Sequence, residues 1–319
     1  MTDPGPLSGY IAQHIELRRS LGFILKGAEY ALIEFDRYLA GTFPEVKTVT
    51  RSMVTGYLQS LSGREMMTLR DRLTHLRQFC RFMFQLDPET YIPERSLVPH
   101  ASITRLAHIY TDEEATKLIK AALALPPLDS LRPHTYATIL ALLWVSGIRI
   151  SEALRLNLED IDSERAVLYI RQSKFFKSRL VPLAPSSISA LEEYRMRRTG
   201  YGHDEGPQAP FFVNLRGRRC NYYTVRPTFL VLSRQLGLKT IQGRDPRLHD
   251  FRHTFATSYL SRVYETGKNP GAALPLLATY LGHANITNTQ TYLHPDISLL
   301  EKSGQRFHDY ARRNAHEGI

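Results

Sequence analysis

Cysteine is scarce in this chain, with two among 319 residues, Cys80 and Cys220. They stand too far apart for a metal or redox spacing. A disulfide framework and a cysteine cluster are therefore excluded, and a reducing cytoplasm fits. Long apolar runs are missing as well. No stretch reaches the roughly 18 apolar residues a membrane helix needs, so no membrane partner is expected. The opening MTDPGPLSGY has neither the basic start nor the apolar centre of a secretory leader. Internal repeats and low-complexity tracts are also absent. Acidic residues are the minority charge, 31 against 41 Lys+Arg, for a formal net charge of +10. The excess is uneven: residues 1–100 hold 12 Lys+Arg against 11 Asp+Glu, and the other 219 hold 29 against 20. A polyanionic partner is the natural complement, bound chiefly by the C-terminal part.

Hydrophobic residues make up 43% and charged residues 23%, an ordinary balance for a globular chain long enough for two domains. Residues from about 10 to 92 carry helical periodicity. YIAQHIELRRSLGF and AEYALIEFDRYLA are amphipathic, and TVTRSMVTGYLQSL follows with Thr48 or Thr50 placed to cap it. In TLRDRLTHLRQFCRFMF, Leu69, Leu73, Leu76, Cys80 and Met83 share one stripe, and Arg70, Arg77 and Arg81 share another. The basic stripe fits a solvated face or a row of phosphate contacts. Pro88, Pro93 and Pro99 then break the pattern and suggest an interdomain linker. A second domain opens at TDEEATKLIKAA, where Thr111 and Glu114 have capping-box spacing. YATILALLWVSGIRISEALRL reads as buried helix broken at Gly147. RAVLYIRQ and SRLVPLA read as strands around SKFFK, with PFFVN a further short strand. Helices return from about Tyr223.

The stretch RLHDFRHTFAT gathers His249, Arg252 and His253. His249 and His253 are one helical turn apart, the spacing of a zinc pair. A hydrolytic zinc site places Glu after the first His, however, and here Asp250 follows. A fixed cation at Arg252 opposes a dication, and His283 is not demanded by any spacing as third ligand. No metal is expected. His249 and Arg252, at i and i+3, instead fit an anion, although H-x-x-R alone also fits a surface ion pair. Upstream, Arg149 follows Gly147 at a helix start, with Glu152 near enough to orient it. Lys174 and Lys177 lie at the turn of the strand pair. Downstream, LGHANITNTQTYLH sets His283 and Tyr292 nine residues apart.

In this order the residues resemble the tyrosine recombinases, or phage-type integrases, with Xer-like members closest in wording. The family's first arginine matches Arg149 in GIRISEALRL, and its hairpin lysine matches Lys174, with Lys177 the alternative. Its H-x-x-R box matches His249 and Arg252, its L-G-H box His283, and its nucleophile Tyr292. The resemblance spans roughly residues 110–300. It implies a mainly α fold with a small antiparallel β-sheet (α+β) in the catalytic domain, and a helical N-terminal core-binding domain. Boundaries follow as 1–95, a linker at 96–109, and 110–319 with a tail helix carrying Ile297, Leu300 and Phe307. Catalytic roles would fall to Arg149, Lys174, His249, Arg252, His283 and Tyr292, with Glu152 in support. Arg70, Arg77, Arg81, Lys177 and Arg179 would contact DNA. No cofactor, metal or ATP is implied. The partners would be duplex DNA with a specific site and a DNA-assembled homotetramer, or a tetramer that includes related recombinases, in the nucleoid.

Two departures stand out. SRVYETGKNPGAALPLLATY makes the step from Arg252 to His283 some eight residues longer than in Xer-like chains, which suggests a lengthened loop near Gly267–Gly271. SKFFK replaces a glycine-rich turn. A type IB topoisomerase shares the chemistry, and an architectural DNA-binding protein could share the fold. The lack of an extra arm-binding domain favours a simple or transposon-borne recombinase.

Overall fold

The computed structural model describes residues 5–23, 25–99, 106–171 and 178–282. The chain divides into two compact units, Met1–Thr104 and Arg105–Ile319, each with its own apolar core.

The first unit is helical: α1 (Ser8–Ser20), α2 (Lys26–Thr42), α3 (Arg51–Ser60) and α4 (Met66–Leu86). The apolar stripe of α4 points inward: Leu73 is buried, and Leu76, Phe79, Cys80 and Met83 join Leu32, Phe35, Leu39 and Tyr57 in one core. Polar ties fix the bundle. Glu34 on α2 accepts from Arg64 and Arg72, each at 2.7 Å, and from the Tyr57 hydroxyl at 3.2 Å. Arg70 and Arg77 are half-buried on α4 and Arg81 is exposed; none of the three makes an ion pair among the described residues. Thr50 occupies the N-cap of α3, but its hydroxyl bonds Ser52 at 3.0 Å rather than the helix backbone.

The second unit runs α5 (Asp112–Leu123), α6 (Arg132–Ser146), α7 (Ile150–Ala153), β1 (Ile161–Asp162), β2 (Val167–Ile170), β3 (Arg179–Pro182), α8 (Pro185–Gly200), α9 (Tyr222–Gln235), α10 (Asp250–Glu265) and α11 (Pro270–Leu281). The Thr111 hydroxyl accepts from the Glu114 N–H and the Glu114 carboxylate from the Thr111 N–H, each at 3.1 Å, a complete capping box for α5. Helix α6 is apolar on most of its circumference and forms the axis of the core, packed against α5, α8 and α10. The strands form one antiparallel sheet in the order β1-β2-β3, with Ile170 opposite Arg179 at the end of the β2–β3 ladder. The fold is thus mainly helical with a small antiparallel sheet.

Tyr110 is fixed within the second unit: its N–H donates to the Thr254 hydroxyl at 3.0 Å and its ring stacks on Phe251 at 4.3 Å. Two expectations change. PFFVN forms no strand; it makes isolated bridges, Asn157 to Pro210 and Val213 to Arg219, while Phe211 and Phe212 sink into the core. The added length after Arg252 lies in helix rather than loop. Helix α10 continues to Glu265, only residues 266–269 connect it to α11, and Gly271 is already helical.

Gly147 ends α6 in the left-handed region, at φ 59°, and a Cβ there would stand 2.7 Å from the Phe255 ring. Both the backbone conformation and the packing reject a side chain. Gly147→Ala is expected to cost about 2 kcal/mol or more of stability. Urea unfolding of the variant beside the wild type measures it, and equal midpoints would contradict this turn.

Candidate active site

Three arginines converge on one helix end. An α-helix leaves its last carbonyls without intrahelical donors, and they carry the negative end of its dipole. At the end of α11, the Gly282 N–H turns back to Ala278 and Thr279, helped by its left-handed φ of 69°. The next three carbonyls each meet a different guanidinium. Tyr280 accepts from Arg179 Nε at 2.7 Å, Leu281 from Arg252 Nη2 at 2.6 Å, and Gly282 from Arg149 Nη2 at 3.3 Å.

Each arginine reaches this point for a local reason. Arg149 is the N-cap of α7, just beyond the Gly147 turn. Glu152, buried at 3% exposure, accepts from the Arg149 N–H at 2.9 Å and from Arg149 Nη1 at 2.7 Å. Arg252 follows Phe251, whose ring is fixed by Tyr110, Trp144 and Phe229. That anchor sets the rotation of α10 and sends Arg252 inward, where it is 1% exposed and donates Nη1 to the Gly147 carbonyl at 3.1 Å. Arg179 was expected among the DNA contacts. Its side chain is 10% exposed, and its Nη1 and Nη2 donate to the two Glu152 oxygens at 3.1 and 2.9 Å. It shares the inward face of β3 with Val181, because side chains alternate along a strand.

The electrostatics follow. Burial alone would raise the Glu152 pKa, but the hydrogen bonds and charge of Arg179, together with Arg149, outweigh it and hold the carboxyl at about 2. Three guanidiniums and one carboxylate leave a positive excess beside the helix end. His249 stands exposed at the N-cap of α10, its ring edge-on to His253 at 5.1 Å. Crowding of its ring by protein, then the nearby His253, Arg252 and Arg247, lowers its pKa and favours the neutral imidazole. Asp250 is fully buried and accepts from the Arg247 N–H at 2.8 Å and from Arg247 Nε at 2.9 Å. No cluster of three or more His, Cys, Asp or Glu with metal-binding spacing occurs among the described residues.

The structure therefore brings Arg149, Glu152 and Arg252 together and sets His249 three residues before Arg252. Lys174, Lys177, His283 and Tyr292 lie outside the described residues, as do the tail residues Ile297, Leu300 and Phe307. Arg179 is the member whose place sequence reasoning missed. The alternation Arg179, Val181, Leu183 was the available signal.

Residues 108–298 match the model of the phage integrase family. The chain belongs to that family. It is a tyrosine recombinase of the Xer-like kind, an enzyme of DNA strand transfer. A protein of Sinorhizobium fredii named as integrase/recombinase y4rB is 37% identical over 300 residues, covering 93% of this chain and 95% of its own. The tyrosine recombinase XerC of Thermodesulfovibrio yellowstonii is 29% identical over 276 residues, covering 85% and 86%. The Tn1549 transposon integrase in complex with transposon right end DNA superposes with a TM-score of 0.66 at 17% identity, covering 93% of this chain and 98% of that one. At that identity the likeness is one of fold. No described helix of the recombinase is long and apolar enough to cross a membrane.

The Glu152 carboxyl titrates below its ordinary 4.5 in the folded chain. Its contribution is therefore complete above pH 4.5 and lost as the pH falls toward 2. Glu152→Gln is expected to lose up to about 3 kcal/mol at pH 7, with the gap to wild type closing in acid. Denaturation at a series of pH values measures it; a gap that stays constant down to pH 2 would contradict the buried ion pair.

Proposed function

We propose that this chain is a site-specific recombinase that cuts and rejoins duplex DNA through a 3′-phosphotyrosine at Tyr292. The observation that carries the reading is the convergence of Arg149 and Arg252 on the end of α11, immediately before His283. A phosphodiester resists attack because its oxygens are already negative and its leaving alkoxide is poor. Permanently charged forks, held rigidly by carbonyls and Glu152, stabilise the charge that grows on the non-bridging oxygens in the transition state. Preorganisation matters because nothing has to reorient when that charge appears.

His283 adds a donor to the same phosphate. Tyr292, whose phenol ordinarily titrates near 10, attacks phosphorus while neutral His249 helps to move its proton. Lys174, or Lys177 from the same connection, protonates the departing 5′ oxygen. The P–O bond to the leaving strand breaks as the bond to the tyrosine forms. A 5′ hydroxyl from a partner duplex then reverses the step, so the phosphotyrosine conserves the bond energy and neither metal nor ATP is needed.

Residues 1–95 serve as a DNA-binding domain and 110–319 as the catalytic domain. Arg70, Arg77 and Arg81 contact backbone phosphates from α4, and the basic second unit supplies most of the salt-dependent affinity. Strand exchange between two duplexes requires four active sites, hence a tetramer on DNA, with the tail docking on a neighbouring protomer. The integrase complex with transposon-end DNA supports both the DNA partner and a mobile-element setting.

Expression of wild type and Tyr292→Phe in cells carrying the native flanking DNA tests this. Denaturing extraction is expected to recover DNA bonded to the wild type at one sequence and none bonded to the variant. Adducts scattered over unrelated sequences would favour a topoisomerase. Bound DNA without any adduct would favour an architectural protein.

A further inference from the structure

Arg179 joins three elements. Its Nε holds the Tyr280 carbonyl at 2.7 Å, and its two terminal nitrogens hold the two oxygens of Glu152 at 3.1 and 2.9 Å. Each element supports a group of the proposed reaction. Helix α7 begins after Arg149, α11 leads through Gly282 into His283, and β3 leaves the connection that carries Lys174 and Lys177. Arg179 is the first residue of β3 and pairs with Ile170, so it stands where that connection meets the sheet.

Resting on the recombinase reading, we propose that Arg179 is a positioning residue that couples β3, the Arg149–Glu152 pair and the end of α11 into one unit. Glu152 Oε1 accepts from both Arg149 at 2.7 Å and Arg179 at 3.1 Å. Without Arg179 the buried carboxylate has Arg149 as its remaining ion-pair partner in this group. Arg149 already donates its N–H to Oε2 and its Nη1 to Oε1, so the full charge of the carboxylate then acts on this one guanidinium and draws its fork from the reacting phosphate toward Glu152. The Tyr280 carbonyl loses its donor at the same time, so the segment entering His283 loses a fixed end. Lysine cannot replace the group, because one ammonium is a point charge and does not span three acceptors in a planar fork. The packing is close on both sides: a Cβ at Gly282 would stand 2.8 Å from Arg179 Nη1.

The test uses the full chain and a nicked duplex cut from the DNA recovered in the wild-type adduct, so that cleavage is trapped. Single-turnover cleavage at saturating protein and duplex affinity are measured for wild type, Arg179→Ala and Arg179→Lys, with melting temperatures as a check on folding. The expected result is a cleavage rate about 100-fold lower in both variants, with affinity within about threefold of wild type. Combined with Glu152→Gln, the losses are expected to fall well short of additive, because both changes break one bridge. Wild-type cleavage in either variant overturns the inference. So does full recovery by lysine, which would reduce the role to charge alone, or a loss of rate, affinity and melting temperature in parallel, which would reduce it to folding. A wild type that forms no adduct overturns the recombinase reading and this inference with it.

Discussion

The end of α11 is the constraint on which the second unit depends. A helix terminus buried without donors is costly, and here the carbonyls of Tyr280, Leu281 and Gly282 are supplied by guanidiniums from β3, α10 and the start of α7. The same contacts that complete the helix gather fixed positive charge at one point. Folding and site assembly are thus one event: α11 cannot be capped in this way unless the elements carrying Arg179, Arg252 and Arg149 are already in place.

Burying this much charge is unfavourable unless each group is hydrogen-bonded, and the described contacts show how that is met. Glu152 neutralises part of the excess, and backbone carbonyls with the dipole of α11 offset more. What remains is positive and held in place. Such a region suits an anion whose charge increases during reaction. It also explains why Arg179 and Arg252, almost hidden from solvent, are arginines: a planar fork satisfies several fixed acceptors that a lysine could not.

Much of this was legible in the sequence, and the reasons are physical. Periodicity gave the inward stripe of α4, the capping spacing gave the start of α5, and the lone Gly147 after an apolar helix gave the turn before Arg149. Arg149 and Arg252 were legible through the order of boxes that resembles the tyrosine recombinases, and Glu152 because it follows Arg149 by three residues at a helix start. The partners of Arg179 were not legible, because Glu152 and Tyr280 are distant in the chain, although the alternation with Val181 pointed inward. PFFVN looked like a strand by composition, yet its aromatic rings serve the core and its backbone finds only isolated partners. The added length between Arg252 and His283 was expected in a loop near Gly267–Gly271. Pro270 in fact takes the first turn of α11, a position where its missing N–H costs nothing.

The claim that three guanidiniums are locked on the end of α11 before any DNA binds can be observed directly. NMR of arginine side chains in the free protein reports guanidinium rotation and the exchange of Nε protons with water. Arg179 and Arg252 are expected to show hindered rotation and slow exchange, with exposed Arg81 as the fast reference. Rapid rotation and exchange at both, matching Arg81, would contradict a preformed clasp and would mean that the site is assembled only on its substrate.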